Sequence, residues 1–131
     1  MIGIDTNIII RYITQDDETQ SQKANDLIDN QLSIKQQGFI TLLSMVEISW
    51  VLESCYKQDR HEVLSILNDL LAIRQLVVEQ SDIAYLAIKR CHENTKTDFS
   101  DALIAIINEH KGCDVTYTFD KNAQKVGMTL L

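Results

Sequence analysis

Short apolar runs alternate with amphipathic stretches along the whole chain. The runs 1–4, 38–41, 76–78, 114–119 and 128–131 have the length and the β-branched or aromatic content of strands. Between them apolar residues recur at helical spacing, and we predict helices over 8–13, 18–32, 44–56, 59–73, 81–88 and 98–111, with a helix or turn over 120–126. Strands that alternate with helices predict an α/β fold with a central parallel sheet flanked by helices on both faces.

Small polar residues mark the predicted helix ends. Thr6 or Asn7 is expected to cap the first helix. Ser44 is expected to cap the helix over 44–56, where Ser44 and Glu47 match the S-x-x-E capping box. Gly112 is expected to close the helix over 98–111.

The length and composition predict one soluble domain. The chain has 131 residues, of which 45% are hydrophobic and 24% charged, and we expect a single domain over 1–131. It contains no apolar run long enough to cross a membrane, and its start lacks the basic segment of a signal peptide. We therefore expect a cytoplasmic protein without a membrane partner. The three cysteines, Cys55, Cys91 and Cys113, form no metal-binding pattern and are expected to be buried as small hydrophobic residues.

The formal net charge is −7, which argues against a general nucleic-acid coat, because phosphates are bound by lysine and arginine. Acids gathered around a cation would reverse that local electrostatic argument.

Two of the acids lie at the start of a strongly apolar helix. Asp98 and Asp101 are three residues apart and therefore share a helix face. The residues after Ala102 are apolar on nearly every face, so we expect this helix to be buried. Asp98 has an ordinary alternative explanation as an N-cap.

Three more acids have apolar surroundings in the sequence. Asp5 and Asp120 directly follow predicted strands, and ligands of parallel sheets bind at the carboxyl ends of strands. Glu47 lies within an apolar helix, where the capping box is its alternative explanation. Few basic residues lie nearby to neutralise these acids, and gathered carboxylates repel one another. A hard divalent cation such as Mg²⁺ or Mn²⁺ would remove that conflict.

The four segments that carry these acids resemble the motifs of PIN-domain ribonucleases, and within them those of VapC-type toxins. They are Asp5-Thr6-Asn7, Glu47 in Ser44-Met45-Val46-Glu47-Ile48, the run from Asp98 to Ile104 that begins Asp98-Phe99-Ser100-Asp101, and Thr118-Phe119-Asp120-Lys121. The resemblance implies a PIN-like fold. It also implies that Asp5, Glu47 and Asp101 are the core metal-site acids, with Asp120 as a fourth and Asp98 as an additional acid. Thr6, Asn7 and Thr118 match polar positions that orient the acids or bound water.

The same resemblance implies an endoribonuclease that uses one or two Mg²⁺ or Mn²⁺ ions. Asp5, Glu47, Asp101 and Asp120 would hold the metal, and a metal-activated water would attack the scissile phosphate. A cognate antitoxin protein and a homodimer are implied as partners of this RNA-cutting toxin. Four basic side chains are candidates to hold the RNA backbone, with solvated surface charge as the alternative: Arg11, Lys96, Lys121 and Lys125.

Other classes of protein fit the sequence less well. A catalytically silent PIN-like scaffold that binds RNA or protein is the main alternative, although all the acids are present. A receiver-type signalling domain would need adjacent acids after its first strand, where Asp5 is followed by Thr6. A haloacid-dehalogenase-like phosphatase would need D-x-D there, and the third residue is Asn7.

Overall fold

The five predicted strands all form, and every pair of neighbouring strands is parallel. Strands β1 (Ile2–Gly3), β2 (Gly38–Ile40) and β3 (Leu76–Val78) make one sheet in the order β1-β2-β3. Strands β4 (Tyr117–Thr118) and β5 (Thr129–Leu130) pair in a second sheet. The α/β class with parallel pairing is confirmed, whereas the strands are divided between two sheets.

Helices make up most of the rest of the chain. The computed structural model describes all 131 residues. The helices are α1 (Thr6–Thr14), α2 (Glu18–Asn25), α3 (Leu42–Ser54), α4 (Arg60–Ala72), α5 (Ser81–Glu93) and α6 (Phe99–His110). A π-helical segment, Asp26–Gln31, continues α2, and a 3₁₀ helix, Lys121–Val126, follows β4. None of these helices combines the length and apolar character that a membrane span requires.

The chain divides into two compact units, Met1–Glu79 and Gln80–Leu131. The first contains the three-stranded sheet and α1 to α4, and its core includes Ile9, Ile28, Ile40, Met45, Ile48 and Leu67, all without measurable exposure. The second contains α5, α6 and the two-stranded sheet. Its buried side chains include the cluster Ala105, Ala123 and Met128.

Two of the predicted helix caps are wrong by a few residues. Helix α1 begins at Thr6, so Asp5 occupies the N-cap position instead of Thr6 or Asn7. Helix α3 begins at Leu42, and its cap is Thr41, whose Oγ1 accepts the Ser44 amide at 3.0 Å. Thr41 directly follows β2 and the helix begins at the next residue, so Ser44 already lies within the first turn and Thr41 is the cap. The predicted end of α6 is confirmed, since Gly112 follows it with φ +88°.

Two burial expectations are also wrong. Helix α6 is not buried on every side, because Ile104 is 48% exposed while Leu103 and Ile106 are buried. Of the cysteines, only Cys91 is buried, and Cys55 and Cys113 are exposed. The sequence composition of a helix does not reveal which of its apolar faces finds a packing partner.

Gly38 is predicted to be the least replaceable glycine. A Cβ atom at this position would lie 2.8 Å from Ile4 Cγ1 and 2.8 Å from Leu32 Cδ1. Gly38→Ala is therefore expected to lower the free energy of unfolding by about 1–3 kcal/mol, as overpacking of a core does. Urea denaturation measures this loss. Gly3→Ala is the matched control, because nothing lies within 4 Å of its Cβ, and an equal loss in both variants would contradict the packing argument.

Candidate functional site

Asp5 occupies a capping position without acting as a cap. It is the N-cap residue of α1, yet its side chain accepts no hydrogen bond from the helix. Asp17 and Asp59 stand at the same position of α2 and α4, and both accept an amide of the first turn, from Gln20 and Glu62 at 2.9 Å. The chain thus uses aspartate caps in the ordinary way elsewhere. The exposed carboxylate of Asp5 is left available for another ligand.

Thr6 adds a buried oxygen beside Asp5. The residue is only 5% exposed, and its Oγ1 has no hydrogen-bond partner in the protein. Buried hydroxyl groups in folded proteins nearly always have a partner, since an unsatisfied one destabilises the fold. Thr6 Oγ1 is therefore a buried hydroxyl without a protein partner, directly after Asp5 in the chain. Asn7, the third residue of this motif, is exposed on the first turn of α1.

Glu47 lies on the second turn of α3, about 7.5 Å along the helix axis from Leu42. The parallel sheet places the end of β2, and hence the start of α3, at the same edge as Asp5. Glu47 lies in an apolar stretch of sequence, yet its side chain is exposed, and so are its same-face neighbours Leu43 (69%) and Trp50 (65%).

Sequence reasoning did not single out Glu79. This residue follows β3 directly, so it lies at the same edge of the sheet as Asp5. Its Oε1 accepts the backbone amide of Leu42 at 2.8 Å and so caps the start of α3. The sequence did contain a signal for Glu79, because this acid directly follows an apolar run that is typical of a strand. The bond to Leu42 gives Glu79 a role in positioning α3.

Asp98 repeats the behaviour of Asp5 in the second unit. It is the N-cap residue of α6, and its exposed side chain forms no capping hydrogen bond. The alternative explanation of Asp98 as a simple cap is therefore not what the structure shows. Asp101 lies one turn further along the same face and is half-buried.

The electrostatic environment of Asp101 is unfavourable for its charge. Burial raises the pKa of its carboxyl above the ordinary value, and the negative charges of Asp98 and Asp120 raise it further. Asp98 and Asp120 thus lie near enough to Asp101 for their charges to act on its carboxyl. A carboxylate that is partly desolvated among like charges binds a proton or a cation more readily than a free one does.

Asp120 is held in place by its neighbours. Its backbone amide donates to Thr118 Oγ1 at 3.0 Å, and its Oδ1 accepts the amide of Asn122 at 2.8 Å. Thr118 therefore holds the backbone of Asp120 through its hydroxyl. The second carboxylate oxygen of Asp120 has no protein partner.

The four basic candidates differ in their surroundings. Arg11 belongs to the first unit and is held by Asp16, Gln20 and Tyr56. The other three belong to the second unit, where they are exposed and form no ion pair: Lys96, Lys121 and Lys125.

The acids have the right chemistry for a hard cation but do not form a finished cage. Carboxylate, hydroxyl and amide oxygens are the donors that Mg²⁺ and Mn²⁺ prefer. No three acidic, histidine or cysteine side chains stand close enough to one another to hold a metal ion. Mutual repulsion of carboxylates opposes such a cluster unless a cation neutralises it. The donor set therefore fits a divalent ion in its chemistry.

Comparison with known families gives one match that covers nearly the whole chain. The sequence model of the PIN domain matches residues 2–128. A comparison with curated proteins found none that matches.

Proposed function

This chain belongs to the PIN domain family, and we propose that it is a metal-dependent endoribonuclease, the VapC-type toxin of a type II toxin–antitoxin pair. PIN domains are generally nucleases that use divalent metals, and those nucleases in general bind RNA. The finer assignment to an RNA-cutting toxin rests on the motifs at Asp5, Glu47, Asp98 to Asp101 and Asp120.

One observation carries the proposal: Asp101 is half-buried among like charges and has no basic partner. None of Asp5, Glu47, Asp98, Asp101 and Asp120 forms a salt bridge, whereas Asp16 pairs with Arg11 and Glu109 with Arg90. Acids that only stabilise a fold are usually paired or used as caps. Asp5 and Asp98 occupy N-cap positions without capping, and Asp101 lies among like charges, which favours a role in binding a cation.

We propose that Asp5, Glu47, Asp101 and Asp120 hold Mg²⁺ or Mn²⁺, and that Asp98 contributes negative charge beside Asp101. A divalent cation held there would supply an activated water and would neutralise negative charge on the phosphate. Thr6 contributes a hydroxyl beside Asp5, and Thr118 holds Asp120 by its backbone. The products of such a reaction carry 5′-phosphate and 3′-hydroxyl ends, whereas a 2′,3′-cyclic phosphate would identify the ribose hydroxyl as the nucleophile.

A cognate antitoxin and a second copy of the chain are the proposed protein partners, in the cytoplasm. The exposed face of α3 supports a protein partner close to the site, because Leu43 and Trp50 flank Glu47 and are largely exposed. Exposed apolar side chains grouped on one helix face are typical of protein interaction sites. A partner seated there would cover Glu47 and block access to it.

RNA cleavage by the purified protein tests the proposal directly. We expect a mixed pool of labelled structured RNAs to be cut with Mn²⁺ or Mg²⁺ and to stay intact with EDTA. Asp5→Asn is expected to lower the cleavage rate by roughly 100-fold or more, since even changes to outer-shell groups of metal sites cost 10–100-fold. Gel analysis of the labelled products, together with the chemistry of their ends, gives the measurement.

Asp59→Asn is the matched control, because asparagine caps a helix about as well as aspartate does. This variant changes an N-cap aspartate whose side chain does cap its helix, so its cleavage rate should stay within about twofold of wild type. If the folded wild type cuts no RNA and calorimetry detects no Mn²⁺ binding, the endoribonuclease is wrong and the RNA- or protein-binding scaffold replaces it.

A further inference from the structure

A cavity of about 420 Å³ opens on the first unit between α1 and α2. It is lined by Asn7, Ile8, Arg11, Gln20 and Lys23. Two of these side chains are cationic, two are amides, and none is acidic. The cavity wall is therefore positive in a chain whose formal net charge is −7, and such a reversal of sign favours an anionic ligand.

Arg11 is fixed in this cavity by three polar partners. Its Nε donates to Gln20 Oε1 at 2.7 Å, and its Nη1 donates to Asp16 Oδ1 at 3.0 Å and to Tyr56 Oη at 3.1 Å. These partners come from α2, from the turn after α1, and from the segment after α3. The Nη2 group makes no hydrogen bond in the protein. The guanidinium is thus held in one orientation with donors still free, which suits a planar fork that binds phosphate.

Lys23 supplies the net positive charge of the cavity. Asp16 offsets the charge of Arg11 through their salt bridge, whereas Lys23 is exposed and forms no ion pair. Lys23 is three residues from Gln20, so both side chains lie on the face of α2 that lines the cavity. An ammonium group placed this way attracts a phosphate as a point charge.

The position of the cavity connects it to the candidate metal site. Asn7 lines the cavity and lies two residues after Asp5, on the first turn of α1. Asn7 and Arg11 are four residues apart and therefore share a face of that helix. A polynucleotide that placed one phosphate near Asp5 would place a neighbouring phosphate within reach of this face.

We propose that the cavity between α1 and α2 is a subsite for a backbone phosphate of the RNA substrate, bound by Arg11 and Lys23. The inference rests on the proposed endoribonuclease function, and it names the groups that hold the RNA beside the cut. The amides of Asn7 and Gln20 add neutral donors and acceptors for the phosphate or the adjoining ribose hydroxyl.

RNA binding without cleavage tests the subsite. The probe is a fluorescein-labelled pool of single-stranded RNA, and its anisotropy is followed in EDTA over a series of salt concentrations. Lys23→Gln is expected to weaken binding roughly fivefold to tenfold near 0.1 M salt and to reduce the slope of log K against log salt by about 0.7, as the loss of one phosphate contact to a single strand does. Lys35→Gln removes the same charge from an exposed residue of the same unit, outside the cavity, and should change binding by less than about twofold.

Arg11→Lys is the second variant, checked for folding by circular dichroism. Lysine keeps the positive charge but lacks the paired donors of the planar guanidinium. RNA binding should therefore weaken, while the slope of log K against log salt stays as in wild type. Equal effects of Lys23→Gln and Lys35→Gln would overturn the subsite, because binding would then depend only on overall charge.

Cleavage in Mn²⁺ is measured separately, so that failure of the subsite and failure of the nuclease are distinguishable. If the wild type cuts RNA and Lys23→Gln impairs neither cleavage nor binding, the subsite is overturned and the nuclease stands. Selective loss of RNA binding in Lys23→Gln without any wild-type cleavage supports the subsite and overturns the nuclease. A wild type that neither binds nor cuts RNA overturns both.

Discussion

Asp101→Asn is expected to abolish RNA cleavage and at the same time to stabilise the metal-free fold. Asp101 is the half-buried acid of the second unit, and its charge is opposed by burial and by the charges of Asp98 and Asp120. Asparagine keeps the shape of the side chain and removes the charge, so the folded state loses an unfavourable interaction. A gain in stability together with a loss of activity is typical of residues kept for function.

The pH dependence of this stabilisation follows from the direction of the pKa shift. The pKa of Asp101 is raised above 3.8 in the folded state, so the folded protein binds this proton more tightly than the unfolded chain does. The contribution of protonated Asp101 to wild-type stability is fully present below pH 3.8. It is lost as the pH rises through the raised pKa of the folded state. The advantage of Asp101→Asn over wild type is therefore present at neutral pH and disappears under acid conditions.

Urea denaturation in EDTA at several pH values, with the RNA-cleavage assay beside it, checks both effects. We expect cleavage to fall by roughly 100-fold or more. The control is Asp82→Asn, which changes an exposed acid in the first turn of α5. It should leave cleavage unchanged and lower stability slightly, because it removes a favourable interaction of about 0.3–1 kcal/mol with the helix dipole. Retained cleavage in a folded Asp101→Asn protein would remove Asp101 from the site.

The second large effect is stabilisation of the wild type by Mn²⁺. A ligand at 100 times its dissociation constant stabilises a protein by about 2.7 kcal/mol when it binds only the folded state. For a chain of this length, that corresponds to a rise in Tm of roughly 10 °C. Differential scanning fluorimetry with increasing Mn²⁺, and again after addition of EDTA, measures the rise and its reversal.

The same titration tests the proposed roles of Asp5 and Asp101 in metal binding. Asp5 belongs to the first unit and Asp101 to the second. We expect Asp5→Asn and Asp101→Asn each to lose most of the rise in Tm that Mn²⁺ produces. Asp59→Asn should retain it, because that carboxylate is committed to its helix. A full rise in Asp5→Asn, with loss only in Asp101→Asn, would restrict the cation to the second unit and refute the four-acid site.

The amino-acid sequence alone determined the order of the elements and the positions of the acids. Strands and helices have different hydrophobic periods, so the runs at β2 and β3 and the stripes of α4 and α6 are visible locally. The motifs at Asp5, Glu47, Asp101 and Asp120 led to the family that covers residues 2–128. The order of the elements and the family motifs can both be recognised from residue types at fixed spacing. Neither requires knowledge of how the elements pack.

Only the tertiary structure decided how individual side chains are used. The sequence allowed Asp98 to be a cap and Ser44 to begin α3, and the structure shows an Asp98 that does not cap and Thr41 in the capping position. These outcomes depend on the backbone direction at the helix start, which a sequence pattern does not contain.

The surroundings of Arg11 also depend on the tertiary structure and could not be predicted from the sequence. Its partner Tyr56 lies 45 residues away along the chain, and its neighbour Lys23 belongs to another helix. Contacts between residues so far apart depend on how elements pack, and packing energies are distributed over many side chains at once. The sequence therefore identified Arg11 as one of several basic candidates, and the fold placed it with Lys23 in a cavity.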